Sequence, residues 1–478
     1  MSTGIMLLLA LTLSAASGIA ATAALLPRRR GDGRLAAKIV LGTLLGAWIS
    51  SVTFLAVLMV GGAALGTTVG FDVLAVLAAV LLYVGTRRLH ATHPPELVEG
   101  PPRGVASLAW LAPLLLVAWL ALQTTLPFAA AHPHGQWDAW SNWNLKARHF
   151  ALGGDRWFDV YDPSMSGHWH DYPLWLPLSL SRMWTYAMTT DAWVGGVLSV
   201  AAVVMVALLL LTGLRAMRGM THACIAVIVL LTSESLLRWG GSQYADIPLS
   251  MFMLGSLIAL CLGLSDARRA PAWWIMAGLL AGAAVCTKHE GKLFCLALVV
   301  TAGMATWRVA GLKPAAKRIG VMVLAMLPGV GITAGFNMLI DAEGAQFFGA
   351  TTWSMLTDPS RHAMVLREIG NIAPLVFDWR VLVVAVLYAL AAGLNRHRSQ
   401  RVAALMCLVT VAMLAAGYYA TVITTRLDLY THITTSADRL MVQLWSPLLL
   451  GVFLLLRTPE ELRQVVHEPE GDIEQPQH

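Results

Sequence analysis

Apolar runs of about twenty residues recur along the chain, parted by short polar passages and by one long one. At helical rise such runs reach across a bilayer. In lipid each backbone amide must be satisfied within its own segment, so every run predicts an unbroken helix. We place thirteen spans near 5–26, 37–61, 70–86, 106–127, 192–214, 221–238, 246–264, 272–287, 291–307, 319–340, 374–394, 402–424 and 441–456. The run from Pro173 to Thr190 is left out. It is short, contains Pro173 and Pro177, and carries Arg182 in mid-run, where an unpaired arginine is costly.

Leaving it out puts the basic clusters at Arg28–Lys38, Arg87/Arg88, Arg215/Arg218, Arg268/Arg269, Lys313/Lys317/Arg318 and Arg396/Arg398/Arg401 on one side, the expected cytoplasmic one. The first run reads as a retained helix with its N-terminus outside, because Arg28, Arg29 and Arg30 come after it and no cationic region precedes it. The outer face then receives the 132–190 region, the Glu234–Asp246 junction, the Lys288–Lys292 turn, and the Asp341–Asn371 and Thr425–Arg439 loops.

Composition agrees with an all-α polytopic membrane protein: 57% of the 478 residues are hydrophobic and 13% charged. The net charge of +6 collects between apolar runs and reads as topology, which excludes a nucleic-acid footprint. The five cysteines show no CxxC spacing and imply neither a disulfide framework nor a zinc site. We expect one integral membrane domain over 1–478: N-terminal helices in 1–104, a central module in 105–340 with its outer loop at 128–190, C-terminal helices in 341–457 and a short cytoplasmic tail at 458–478, too small for a core. No fixed-period repeat is evident, which counts mildly against a carrier.

The long polar passage is HPHGQWDAWSNWNLKARHFALGGDRWFDVYDPSMSGHWHDYPLWLP, residues 132–177. As a helix, Trp137, Trp140, Trp143, Ala147 and Phe150 share one arc and Asp138, Asn142, Lys146 and His149 lie opposite. That pattern predicts a helix flat on the outer leaflet with juxtamembrane neighbours, and periodicity alone favours a plain aromatic anchor. Four further polar groups shift the balance toward a site. His168, His170 and Asp171 form an HxHD cluster, a weak metal signal and better read as hydrogen-bonded at headgroup level. Glu234, Arg238, Tyr244 and Asp246 flank the turn GGSQYADIP, where Asp246 suits an N-cap. Lys288, His289, Glu290 and Lys292 crowd one tight turn. Asp428, His432, Asp438 and Arg439 lie in the last outer loop, where snorkelling alone would account for Arg439. Fixed cations beside a carboxylate can neutralise a phosphate leaving group while the carboxylate takes a proton from an attacking hydroxyl.

The segments WDAWSNWNLKARHF, HDYPLWLPL, QYADIPLSMF, TKHEGK and THITTSADRLMVQLW resemble the membrane-embedded glycosyltransferases of the C superfamily, in particular bacterial relatives of the protein O-mannosyltransferases and of the lipid A aminoarabinose transferase. The likeness covers roughly 130–300 and 428–447. It implies a polyprenyl-phosphate sugar donor, an unknown glycan, lipid or protein acceptor, and Asp138 as the catalytic base. Asp246 matches a second acidic position of such proteins, and Lys288 with Glu290 their Lys-x-Glu-Gly turn. WDAW departs from the doubled acidic pair of the oligosaccharyl- and protein-mannosyl branches, and no soluble C-terminal domain is expected.

The expectation is therefore an inverting transferase in the bacterial cytoplasmic membrane, its site facing outward among membrane lipid. Lys146, Arg148, Lys288 and Arg439 are, in that order, candidate phosphate partners; His170, Asp171, Tyr172, Tyr244, Asp246 and Glu290 are candidate sugar-orienting or supporting groups. No metal ligand set is assigned and no cofactor is called for, a divalent cation having weak support. The alternative is a transporter or flippase of a lipid-linked or anionic substrate, its cations lining a path.

Overall fold

The computed structural model describes residues 2–27, 33–91, 109–162, 164–165, 170–266, 270–341 and 352–467. Among these the chain is helical, with no strand beyond one isolated bridge between Leu394 and Leu456. In chain order the helices are α1 (Thr3–Leu25), α2 (Leu35–Gly61), α3 (Leu65–Ala91), α4 (Leu111–Ala131), a π-helical turn (Ala139–Trp143), α5 (Asn144–Leu152), a 3-10 segment (Gly154–Tyr161), α6 (Trp175–Ala187), α7 (Trp193–Arg218), α8 (Met220–Leu231), α9 (Glu234–Gly241), α10 (Asp246–Leu264), α11 (Ala270–Val285), α12 (Glu290–Ala310), α13 (Leu312–Leu339), α14 (Thr352–Leu356), α15 (Pro359–Val376), α16 (Trp379–Ala392), α17 (Arg398–Ile423), α18 (Leu429–Leu455) and α19 (Pro459–His467).

Ten described helices are long and apolar enough to cross a membrane, and twelve spans result if two bent pairs each count as one. The expected run at 272–287 corresponds to α11, which has only 16 residues. Two expected spans are broken. In 221–238 the chain bends by 70° between α8 and α9, where Ser233 leaves helical geometry and its hydroxyl accepts from the Leu236 amide. In 374–394 it bends by 81° after Pro374, and Asp378 caps α16 through the Arg380 amide. Both breaks are capping events inside apolar sequence, which hydropathy does not register.

At the centre stands α10. All 19 of its residues are buried, as expected of a helix apolar around its whole circumference. Helices α2, α7, α11, α12, α17 and α18 pack around it. Close approach of α11 and α13 depends on missing side chains, for a Cβ on Gly329 would stand 2.3 Å from the Gly282 carbonyl.

Helix α6 occupies 175–187 of the omitted run at 173–190. Its 13 residues rise only about 20 Å, short of the roughly 30 Å hydrocarbon layer. Yet it does not lie on a surface: it is buried along nearly its whole length, against α1, α2, α3, α5 and α7. Arg182 is not unpaired either. Its Nε lies 2.9 Å and its Nη2 2.7 Å from Asp72 Oδ2, which also accepts from Tyr186 Oη at 2.6 Å, while Thr53 donates to Asp72 Oδ1 at 3.1 Å. Asp72 sits on α3, within an apolar run that gives no sign of needing a partner.

Of the expected tail, residues 459–467 form α19, fixed by Glu461 against Arg218 at 2.9 Å; residues 468–478 lie outside the described part.

Candidate functional site

Asp246 opens α10, with Ala245 rather than Asp246 as the cap residue. Its carboxylate, expected to serve the helix amides, instead gathers three side chains from two other places, the turn before α12 and one face of α18. Oδ1 accepts from Lys288 Nζ at 2.9 Å and from Gln443 Nε2 at 2.6 Å. Oδ2 accepts from Arg439 Nε at 3.2 Å and Nη2 at 3.1 Å. A negative group at a helix N-terminus is favoured by the helix dipole, and two fixed cations offset its desolvation.

Arg439 and Gln443 share a face of α18 one turn apart, and Ser446, next along that face, meets Ser250 of α10 at 2.9 Å. The expected outer loop at 425–439 ends early, since α18 begins at Leu429 and Arg439 lies ten residues into it. Arg439 does not snorkel. Its side chain is 11% exposed, and its guanidinium sits 4.4 Å above the Tyr244 ring, bridging Asp246 to Asp138, whose Oδ2 stands 2.7 Å from Nη2. Tyr244 in turn accepts from the Asp138 amide at 3.1 Å and stacks on Trp239 at 5.1 Å. Trp239 Nε1 donates to Asp438 at 2.7 Å. The bend between α8 and α9 carries Trp239 to this end of the bundle.

Lys288 lies between α11 and α12 and also contacts Glu290, the first residue of α12, at 2.8 Å. Burial would lower its affinity for a proton, but Asp246 and Glu290 outweigh burial and hold the ammonium above its ordinary value. Burial first, and Asp138 after it, push the Tyr244 phenol up to about 12.

Beside this network lies a second chain of contacts. His289 Nε2 is 3.0 Å from Asp171 Oδ2, and the His289 ring is 4.9 Å from that of Tyr172, which packs on Trp143 at 5.2 Å. Burial works to raise the Asp171 carboxyl, yet the nearby His289 and Lys146 prevail and hold it below the ordinary value. Burial raises Tyr172 to about 12, and its phenol feels Lys288, Glu290, Asp138 and Arg439 together. Lys146 is fully buried, 5.7 Å over the Tyr161 ring; burial pulls it down to about 7, with Asp171 as the opposing influence.

The candidates named from the sequence therefore separate. Asp138, Tyr244, Asp246, Lys288, Glu290 and Arg439 are joined through direct contacts, and Asp171 and Tyr172 adjoin them. Lys146 stands behind Asp171, Arg148 is exposed on α5, and the His170 ring is 5.8 Å from Tyr161. His168 lies outside the described residues.

The aromatic arc of 137–150 also divides: Trp137 and Trp140 are exposed while Trp143, Ala147 and Phe150 are buried. The π turn at 139–143 changes the residues per turn and rotates the helix beyond it.

Sequence reasoning misses Gln443. It holds Asp246, reaches Glu290 at 3.5 Å and accepts from Tyr418 at 2.7 Å. Its only signal is a lone amide four residues after Arg439. Among the described residues no cluster of His, Cys, Asp and Glu is arranged to hold a metal.

A groove of about 1170 Å³ runs between α1, α2, α4 and α7. Its wall includes Ala16, Ala130, Pro133, Trp175, Trp193 and Met251, and no ionisable residue. The Pro133 carbonyl accepts from Gln243 at 2.8 Å, and Gln243 precedes Tyr244, so one end of the groove lies beside the network.

Comparison with protein-family models, curated proteins and solved structures gave no match, so the family resemblance rests on the residues themselves.

Proposed function

We propose that this protein is a glycosyltransferase that moves a sugar, with inversion, from a polyprenyl-phosphate donor to an acceptor at one membrane face. The observation that carries the reading is Asp138, a carboxylate with its side chain one-third exposed, 2.7 Å from a guanidinium otherwise held by buried Asp246. A proton acceptor and fixed cations thus stand together at one end of an apolar bundle, as transfer from a lipid phosphate requires.

In this reading the acceptor oxygen or nitrogen attacks the anomeric carbon from the face opposite the phosphate. The new bond forms as the bond from carbon to phosphate oxygen breaks. The electron pair leaves with the phosphate, whose charge Arg439 and Lys288 neutralise, and the acceptor's proton passes to Asp138. Asp246, Gln443 and Glu290 fix the two cations; Tyr172 and Tyr244 face the sugar, with Asp171 supporting. The apolar groove suits the isoprenoid chain. The basic clusters between spans favour an extracytoplasmic site, and the resemblance to bacterial transferases supports a bacterial cytoplasmic membrane. The carrier alternative has less support, because that groove offers a charged headgroup no ionisable residue along its wall.

The test is the folded Asp138→Asn protein supplied with lipid-linked sugar. An amide cannot take the proton, so transfer is expected to fall at least about a hundredfold; transfer at the wild-type rate would sink the assignment.

A further inference from the structure

We propose that Asp138 and the phosphate of an isoprenyl phosphate compete for the same position on Arg439, so that arrival of the phosphate frees Asp138 to act as base. The inference rests on the transferase reading and adds an order of events to it.

Both cations of the network are already engaged. Lys288 serves Asp246 and Glu290; Arg439 serves Asp246 and Asp138. Three carboxylates against two cations leave one surplus negative charge, which repels an incoming anion until a carboxylate withdraws.

The three are not equally able to do so. Asp246 is wholly buried and holds both cations, so its movement would strand two charges. Glu290 side-chain exposure is 20%, and it begins α12 beside Lys288. Asp138 is the most exposed at 33%, and among the described residues it makes one ion pair, to Arg439 Nη2. Its amide is separately anchored to Tyr244, so the carboxylate can swing while the backbone stays.

Arg439 is set for the exchange. Asp246 holds its Nε edge, and Tyr244 supports the guanidinium face at 4.4 Å, so Nη2 keeps its place when the anion on it changes. The guanidinium trades one charge-assisted hydrogen bond for another. A carboxylate oxygen released from Arg439 has its lone pair open to the acceptor's proton. Asp138 is thereby quiet until the leaving group is seated.

The experiment measures binding of farnesyl phosphate, farnesol and inorganic phosphate to the full chain in nanodiscs, read by tryptophan fluorescence. The expected sign is unusual for the loss of a site residue: Asp138→Asn binds farnesyl phosphate about tenfold more tightly than wild type. Arg439→Gln binds it at least about tenfold more weakly, and farnesol binds all three proteins alike. Tightening toward inorganic phosphate as well supports competition for the anion itself. Equal or weaker binding of farnesyl phosphate by a folded Asp138→Asn protein overturns the proposal, and Asp138→Ser gives the same sign or overturns it if the Asn protein is unstable.

Failure of the two readings is distinguishable. Tightened binding by Asp138→Asn together with no sugar transfer by wild type keeps the competition and ends the transferase. Transfer by wild type with unaltered Asp138→Asn affinity ends the competition alone.

Discussion

Lys288 Nζ donates to Asp246 Oδ1 at 2.9 Å, joining the turn before α12 to the first residue of α10, a carboxylate with no exposure. Removing Asp246 leaves Lys288 and Arg439 with one carboxylate each in a buried place. Asp246→Ala is expected to cost about 3–5 kcal/mol, read as a fall in Tm of the detergent-solubilised protein. A Tm equal to wild type would mean that the network does not hold α10 and α18 together.

Gln443 depends on Tyr418 to fix which way its amide points. Tyr418→Phe removes the 2.7 Å donor and leaves a buried carbonyl oxygen unsatisfied, at a cost of about 1–3 kcal/mol. Gln443→Leu combined with Tyr418→Phe should be less damaging than the two single effects added together, which a double-mutant cycle measures.

For Asp72 and Arg182 the same cycle applies more severely. Either single neutralisation, Asp72→Asn or Arg182→Gln, leaves a buried charge and should lower stability by about 3–5 kcal/mol. The paired change Asp72→Leu with Arg182→Met should recover much of that loss. Strict additivity would show the 2.7 Å contact to be energetically idle.

Lys146 gives a pH signature. Burial sets its folded value near 7, below the ordinary 10.5, so between those values the unfolded chain binds more protons. Stability contributed at this position therefore rises as pH climbs from about 7 to 10.5 and is lowest below 7. Relative to Lys146→Met, wild type should gain Tm across that window. Parallel curves for the two proteins would contradict the burial-driven shift.

The packing of α11 on α13 can be opened from a distance. A Cβ at Gly329 would sit 2.3 Å from the Gly282 carbonyl, so Gly329→Ala must separate the helices, at a cost of about 1–3 kcal/mol. Because α11 leads into Lys288, the transfer proposed above should also fall in the Ala protein, and an unchanged Tm would show that the helices yield without cost.

Much of this architecture was legible because a bilayer leaves few choices: long apolar runs had to be helices, and α1, α2, α7, α10, α13 and α17 lie close to where hydropathy put them. Bends were not legible, since Ser233 and Asp378 break helices by capping, a local event that hydropathy averages away. The ionisable residues of the Asp246 network stood out by their charge at span ends. Gln443 did not, being uncharged, and Asp72 was hidden by its apolar neighbours. Arg439 was seen but its depth was not, because α18 begins three turns before its apolar stretch. The phase of 137–150 was lost at a π turn that no residue type announces.

The bond between Asp72 and Arg182 sets a timetable as well as a geometry. Asp72 precedes Arg182 by 110 residues, so at ordinary synthesis rates its carboxylate emerges on the order of ten seconds before the arginine exists. During that interval α3 must share the carboxylate with Thr53 of α2 or hold it out of the lipid. The first three helices are thus provisional until α6 is made, and a chain stalled before Arg182 should be recognisable to the cell as unfinished by a single unmatched charge.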